Sequence, residues 1–529
     1  MACSKIFSGD IPELTNKIIQ YFRNDLSTLY SCILVNRLWC RLAIPLLWEN
    51  PFSSKYHENY RYIEVYLYSL NDKRQLNEYG INLPSNPLFN YPSFIQHLDT
   101  NSINECIIRW LRIRIKSYDT YYTDKLYFIP KSLIKLFSEK EAKLRTLNFT
   151  YQHDYDNYTD IIISELVLQN SNLIGNIKNL YFEPYEYDNM NSILKFLNSK
   201  CDSISSIYLP SIENHNDSIE LSRLIKLQKN LNKILLYKSL PLSILLNSNC
   251  LNTLNIIIFW KIDFKNINIL NEVFEQLNVI ESIHIIDCYS LDSNFSQQII
   301  NLTKPFKLKS LILYEKSLIL KDSMELILQK SGDYLENFVL SSTNSKPQLL
   351  ELITSYCTKI KFLELNGFYE HHQDIYSTFN LIETFKQNLN YLTINTSIGL
   401  SSIVLQNLGQ ILPFKLEYLD LYLALNTKDF VLFLKNSQNT FIKKLLLKNK
   451  INRIRQRFGQ FDMLYNIKEY IMKKKRVKYI AFRTNDHPAS GSELSRLKDE
   501  VKEFRLHDII VQDYRQMKIK FIEFLKEKI

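Results

Sequence analysis

Glycine is scarce for a chain of this length. Nine glycines in 529 residues, none closer together than Gly399 and Gly409, exclude G-x-G-x-x-G, G-x-S-x-G and P-loop signatures. Nucleotide-dependent catalysis therefore has no visible seat. Cysteine is thin too: Cys3, Cys32, Cys40, Cys106, Cys201, Cys250, Cys288 and Cys357 are scattered, with no C-x-x-C spacing. They read as buried thiols of a reducing compartment rather than as a disulfide framework. Nine histidines form no H-E-x-x-H and no zinc spacing, and the pair His371-His372 reads as a solvated loop. Asp154 and Asp156 lie in a Tyr/Asn/Asp-rich stretch and read as a turn. No cofactor, metal or catalytic constellation emerges, so the expectation is a protein that is not an enzyme. Long hydrophobic runs are missing as well, and Met1 to Asp10 has no signal-peptide pattern. The expected location is cytoplasmic, with the nucleus left open and no membrane partner.

Apolar material is nonetheless ample, at 46% hydrophobic and 13% aromatic residues, which favours a folded chain over a disordered one. A length of 529 residues calls for several domains or a repetitive architecture. The net charge of +10 is local: Lys443 to Lys478 holds thirteen basic residues against Asp462 and Glu469, a net of +11, so the remainder carries −1. This stretch, with Arg453, Arg455, Arg457 and Lys473 to Arg476, reads first as a solvated face capping a helix carboxy end. An acidic partner or nuclear import ranks second, and nucleic acid last.

Periodicity is the strongest positive signal. The pattern apolar-x-x-apolar-x-apolar starts at Leu144, Ile177, Ile204, Leu231, Leu251, Ile280, Leu308, Leu335, Ile360, Leu389, Leu416, Ile442 and Val477. Successive starts lie 20 to 35 residues apart and cluster near 27. Helix-like stretches fall between them, at 191–198, 348–356, 376–386 and 428–435. One strand plus one helix per unit of this length is the leucine-rich-repeat pattern, whose units are stable only when stacked. The fold expected is α/β: an irregular solenoid with a parallel concave sheet and convex helices over 144–485. A connecting region, 53–143, holds degenerate repeats near Phe94 to Asp99 and Ile108 to Ile113, and 486–529 forms a helical cap. Leucine-rich repeats commonly place Asn or Cys three residues after the last strand apolar position. Lys316, Phe368 and Ala424 stand there instead, so an asparagine ladder is not expected.

Strand alternation selects the residues facing out of the sheet. Tyr181, Tyr208, Tyr237, Tyr314, Phe362, Tyr391, Tyr418 and Tyr422 occupy such positions and are the candidate target-binding set. Tyrosine offers large contact area with a polar tip. The competing reading is plain strand preference in a chain holding 34 tyrosines.

The first fifty residues are different. Asp10 and Glu13 bracket Pro12 as a helix amino terminus, followed by Leu14, Ile18 and Phe22 at i, i+4 and i+8. Asp25-Leu26 opens a second segment with Leu29, and a third begins near Asn36, interrupted by Pro45. Three short helices cannot bury so many apolar groups among themselves; the surplus meets either the rest of the chain or a partner. Ile11-Pro12-Glu13-Leu14, Ile18, Phe22, Asp25-Leu26, Val35-Asn36-Arg37-Leu38-Trp39 and Trp48 resemble the F-box in order and spacing over 7–52, with Ile11 where Leu is commoner and Asn36 where Cys is frequent. The resemblance implies an F-box protein with leucine-rich repeats: a substrate receptor of an SCF-type ubiquitin ligase, acting in ubiquitin-dependent protein degradation. It would bind a SKP-type adaptor, and through it a cullin scaffold, by Ile11, Pro12, Leu14, Ile18, Phe22, Leu26, Leu29 and Trp39. Trp39 and Trp48 could equally fasten the knot to the repeats. The alternative is a non-catalytic leucine-rich-repeat scaffold without ligase assembly, its opening serving only as a cap.

Overall fold

Wherever apolar residues alternate along a repeat, the backbone is a short strand with those side chains beneath it. The computed structural model describes the chain apart from residues 1–11, 24, 54–59, 82–86, 115–121, 151–158, 183–189, 210–214, 239–241, 247, 315–320, 342–345, 369–371, 451–458, 485–492, 520 and 522–529. Two units result, Met1–Ile257 with Leu277–Val279, and Ile258–Gln276 with Ile280–Ile529.

The first unit opens with α1 (Pro12–Tyr21), α2 (Leu26–Cys32) and α3 (Arg37–Leu47). Five strands follow in chain order: β1 (His97–Asp99), β2 (Thr146–Phe149), β3 (Asn179–Phe182), β4 (Ser206–Tyr208) and β5 (Lys233–Tyr237). Each pairs in parallel with the next. Helices such as Met190–Lys200 return the chain between strands. Leu147, Leu180, Ile207 and Ile234 are all fully buried, forming one row of the core.

The chain passes into the second unit within β6 (Ile256–Trp260). There β7 (Ser282–Ile286), β8 (Leu308–Leu313), β9 (Asn337–Ser341), β10 (Phe362–Phe368), β11 (Tyr391–Thr396), β12 (Lys415–Leu423), β13 (Phe441–Asn449), β14 (Val477–Thr484) and β15 (Ile510–Val511) run in sequence order, parallel to their neighbours. Helices such as Ile398–Ile411 and Thr427–Asn436 alternate with them. In register, Leu363, Leu392, Leu419, Leu445 and Ile480 form a row exposed by at most 1%. At roughly 1.5–3 kcal/mol per buried aliphatic side chain, such rows are the main stabilising term of each repeat.

A backbone device repeats along the array. One carbonyl accepts from two consecutive N–H groups of the next repeat: Gln96 O from Arg145 and Thr146, Arg145 O from Lys178 and Asn179, Lys178 O from Ser205 and Ser206. The same holds at Glu336, Lys361 and Asn390 in the second unit. The turns need no asparagine at the usual position. Beyond β12, the N–H of Ala424 donates to Ser401 Oγ at 2.9 Å and that of Leu425 to Asn449 Oδ1 at 3.0 Å, both side chains from neighbouring repeats. Cys288, three residues after Ile285, does occupy the usual turn position and donates from Sγ to Phe259 O at 3.5 Å.

Several expectations need correction. Ile108 to Ile113 is not a strand but part of the helix Thr100–Arg114, because Ile103, Ile107 and Leu111 repeat at i, i+4 and i+8 and are fully buried. The repeat read from Leu251 is displaced. Asn249–Asn252 is a 3₁₀ turn, and Leu254, Ile257 and Phe259 are the buried pattern residues. Its start is therefore residue 254, which turns spacings of 20 and 29 into 23 and 26. Strands extend past 144–485 at both ends, to β1 and β15, so 486–529 is not purely helical. Pro45 lies inside α3 without ending it, since the helix runs on to Leu47.

Candidate interaction surfaces

The amino-terminal knot is assembled by its caps. Asp25 accepts from Thr28 N and Oγ1, and Asn36 accepts from Trp39 N at 2.9 Å, so α2 and α3 each start where a side-chain acceptor replaces a missing intrahelical partner. Ile19, Leu29, Cys32, Trp39, Ala43, Leu46 and Leu47 form the core, with Phe22, Leu26, Ile33, Leu42 and Trp48 at its margin. This corrects two site assignments: Leu29 and Trp39 point inward, at 0% and 7% exposure, because the α2–α3 crossing needs them. Ile11 lies outside the described residues. Pro12 and Leu14 are exposed, and Ile18, Phe22 and Leu26 are half-buried. Leu14, Tyr21, Tyr30, Leu34 and Val35 make up five of the twenty large apolar residues exposed in the described chain. A quarter of these residues thus fall within 22 positions, and solvent-facing apolar groups at this density mark a contact surface.

The other end of the knot is fastened. Trp48 packs its ring against Tyr91 at 4.2 Å, Tyr62 at 4.7 Å and Tyr66 at 5.3 Å. Glu49 O accepts from Gln96 N and His97 N, taking for β1 the part that each preceding repeat takes for its neighbour. Arg23 Nε pairs with the buried Glu49 carboxylate at 3.1 Å.

On the sheet of the first unit, Tyr181 and Tyr208 stack at 4.4 Å, with Lys233 Nζ 5.6 Å from the Tyr208 ring. Burial pushes the Tyr181 phenol up to about 12 and raises that of Tyr208 further. Tyr237 is buried as well. In the second unit Tyr314 is half-buried, and Tyr422 lies beneath Lys448 and Lys450, whose ammonium groups stand 4.0 and 4.4 Å from its ring centre. Burial lowers the Lys450 ammonium to about 8.

Phe362 and Tyr418, expected to face a target, are covered by this chain's own carboxy-terminal segment. Both are 2% exposed. After β15, Asp513 caps a one-turn helix, Tyr514–Met517. Tyr514 and Met517 pack on Tyr418, Leu446 and Ala481, with Tyr391, Tyr479 and Ile519 at the margin. The Tyr514 hydroxyl donates to Asp420 Oδ1 at 2.7 Å, and Tyr514 N donates to Glu493 Oε1 at 2.6 Å. Ile519 N donates to the Tyr418 hydroxyl at 3.3 Å, and the Phe521 ring meets Phe362 edge-on at 5.0 Å. The segment thus crosses from β14 to β10, four strand spacings or roughly 19 Å, which the seven steps from Tyr514 to Phe521 can span. Beneath it Asp420 is 2% exposed, and desolvation raises its carboxyl to about 6. Glu364, bonded by Asn366 Nδ2 at 2.7 Å, is raised by the same cause. No local signal in the sequence links Tyr514 to Asp420, 94 residues away.

The basic stretch is largely engaged within the fold. Lys443 pairs with Glu417 at 2.8 Å, Lys468 with Glu500 and Glu503 at 2.6 and 2.7 Å, Lys475 with Asp508 at 2.8 Å, and Lys473 with Glu469. Arg476 is not solvated: its guanidinium donates to Leu434 O at 3.2 Å, Thr440 O at 3.4 Å and Ser437 O. It caps the carboxy end of the helix Thr427–Asn436 and also reaches Tyr470 O, in the helical stretch preceding it in sequence, at 3.5 Å, and burial lowers it to about 10. Arg453, Arg455 and Arg457 lie outside the described residues.

Among the described residues no group of three His, Cys, Asp or Glu could hold a metal, and no helix is long and apolar enough to cross a membrane. No protein-family model and no curated protein matches the chain. Among solved structures it is similar to the leucine-rich repeat-containing protein LegL7 from Legionella pneumophila, at 12% identity and a TM-score of 0.34, over 60% of this chain and 95% of that one. The strand-and-helix repeats themselves establish the fold class. It is an α/β leucine-rich-repeat architecture.

Proposed function

We propose that the protein is a non-catalytic recognition subunit of an SCF-type ubiquitin ligase, docking a SKP-type adaptor through the knot and a target protein through the repeats. The observation carrying this reading is the two-sidedness of the knot. Its carboxy end is fastened to β1 through the Glu49 carbonyl and to Tyr62, Tyr66 and Tyr91 through the Trp48 ring, whereas Pro12, Leu14 and Leu34 stay exposed. Apolar side chains left uncovered on a small helical unit are what a helix-lined partner surface buries. The target, held on the sheet face, would present its lysines to a conjugating enzyme by proximity, with no catalytic group supplied by this chain.

The second reading, a scaffold whose knot is only a cap, is favoured by the Glu49 carbonyl standing in for a preceding repeat. Co-purification with an adaptor decides between them. Pro12→Ala with Leu14→Ala abolishes adaptor binding and leaves the repeats folded, because neither side chain belongs to the knot core. Adaptor recovery unchanged in the double variant would refute the ligase reading.

A further inference from the structure

We propose that the segment Tyr514 to Phe521 is a displaceable occupant of a peptide-binding site on the second unit, and that the site takes a short segment, opening in one helical turn, that carries a phenol for Asp420 and a trailing aromatic for Phe362. This deepens the reading of the repeats as a target-binding face and rests on it.

Three observations carry the inference. The site lies on outward positions of β10 to β14, which the repeat pattern leaves for solvent or ligand, yet here they are covered. The cover is short: among the described residues it is held by one helical turn, the Tyr514 and Phe521 rings, Met517, and the bonds from Tyr514 N to Glu493 and from Ile519 N to the Tyr418 hydroxyl. Beneath it sits a polar group that packing alone would not require. Asp420 is 2% exposed and receives the Tyr514 hydroxyl at 2.7 Å, with the Tyr418 hydroxyl at 3.4 Å. A buried carboxylate is costly unless hydrogen-bonded, so it discriminates strongly for a ligand bringing a donor and against one bringing only an apolar ring. Lys518, exposed within the segment, places a positive charge that both Asp420 and Glu364 feel. The favoured ligand is therefore a peptide with tyrosine, a basic residue about four positions later and an aromatic beyond it, as in this chain's own segment.

The test uses the full chain and a fluorescein-labelled peptide of residues 511–521, read by fluorescence anisotropy. In the wild-type chain the tethered segment competes at high effective concentration and the peptide binds weakly. Tyr514→Phe in the chain removes one hydrogen bond to a charged acceptor, and the peptide then binds about tenfold more tightly. Phe521→Ala, at the far end of the segment, acts in the same direction, and circular dichroism confirms that both variants are folded. On the Tyr514→Phe chain, a peptide carrying the same change binds about tenfold more weakly than the unaltered one. Equal peptide affinity for the wild-type and both variant chains overturns the proposal. The general target-binding reading is probed separately, by proximity-labelled proteins lost on Tyr181→Ala with Tyr208→Ala in the first unit, so the two can fail independently.

Discussion

Acidity should tighten the hold of the carboxy-terminal segment, and Asp420 is the main reason. With the segment docked, desolvation raises the Asp420 carboxyl to about 6; with it undocked, the carboxyl returns toward the ordinary value of 3.8. Between these values the docked state binds more protons, so docking strengthens as pH falls through about 6 and weakens as pH rises. Between pH 7.5 and pH 5 the linkage relation gives roughly a tenfold fall in the opening constant. Other groups face this site. Glu364 is also raised by burial and adds in the same direction, as does Glu493, whereas Asp513 is lowered and opposes them. The phenols of Tyr418 and Tyr514 are raised and stay protonated throughout this range. Lys518 and Tyr422 complete the surroundings. Hydrogen exchange of the Gln512, Lys518 and Ile519 amides, corrected for intrinsic rates, reads the opening constant directly. Asp420→Asn should remove about a tenfold effect between pH 5 and 7.5 and leave only the residual slope of the other acids. The same slope in the variant, or one of opposite sign in the wild type, would refute the reasoning.

Two further outcomes test the fold. Arg476→Met strands the carbonyls of Leu434, Ser437 and Thr440 at a helix end and should destabilise the second unit by about 3 kcal/mol, with Arg476→Lys recovering only part because an ammonium cannot fork to several acceptors. Unchanged exchange protection of amides 430–437 in the Met variant would contradict this. Leu254→Ala should cost about 2–5 kcal/mol by urea unfolding and Leu251→Ala distinctly less, since Leu254 is fully buried and Leu251 only partly; the reverse order would restore the displaced repeat frame.

The repeats were legible because their signal is local. Three apolar positions within six residues, a helix, and a return near residue 27 can be read without knowing which repeats touch. Twelve of the thirteen starts lead into the observed strands, and the thirteenth slipped by three residues because Leu251 and Leu254 are both leucines in a tandem that fits the pattern either way. The sheet-facing tyrosines were legible for the same reason: alternation fixes the face. What covers that face was not, because Tyr514 meets Asp420 across 94 residues and Phe521 meets Phe362 across a longer stretch. Periodicity says which side chains leave the core, never which distant segment comes to meet them. In the knot, Leu14, Ile18 and Phe22 do form one stripe, but it lies at the rim, with Thr15 and Ile19 facing inward. A helical period fixes the angle between residues without fixing which angle is the core.

The two roles open to the knot are physically separable. As a cap it needs Trp48, whose ring joins Tyr62, Tyr66 and Tyr91, and the Glu49 carbonyl, which closes the exposed N–H edge of β1. An unpaired strand edge is a liability at any array end, so this fastening would be selected whether or not an adaptor exists. The exposed residues of α1 and the α2–α3 turn do nothing for that cap. Pro12, Leu14, Tyr21, Leu34 and Val35 could all be polar at no cost to the knot core. Capping therefore accounts for one end of the knot and leaves the apolar character of the other unexplained, and it is that remainder that a docked partner would account for.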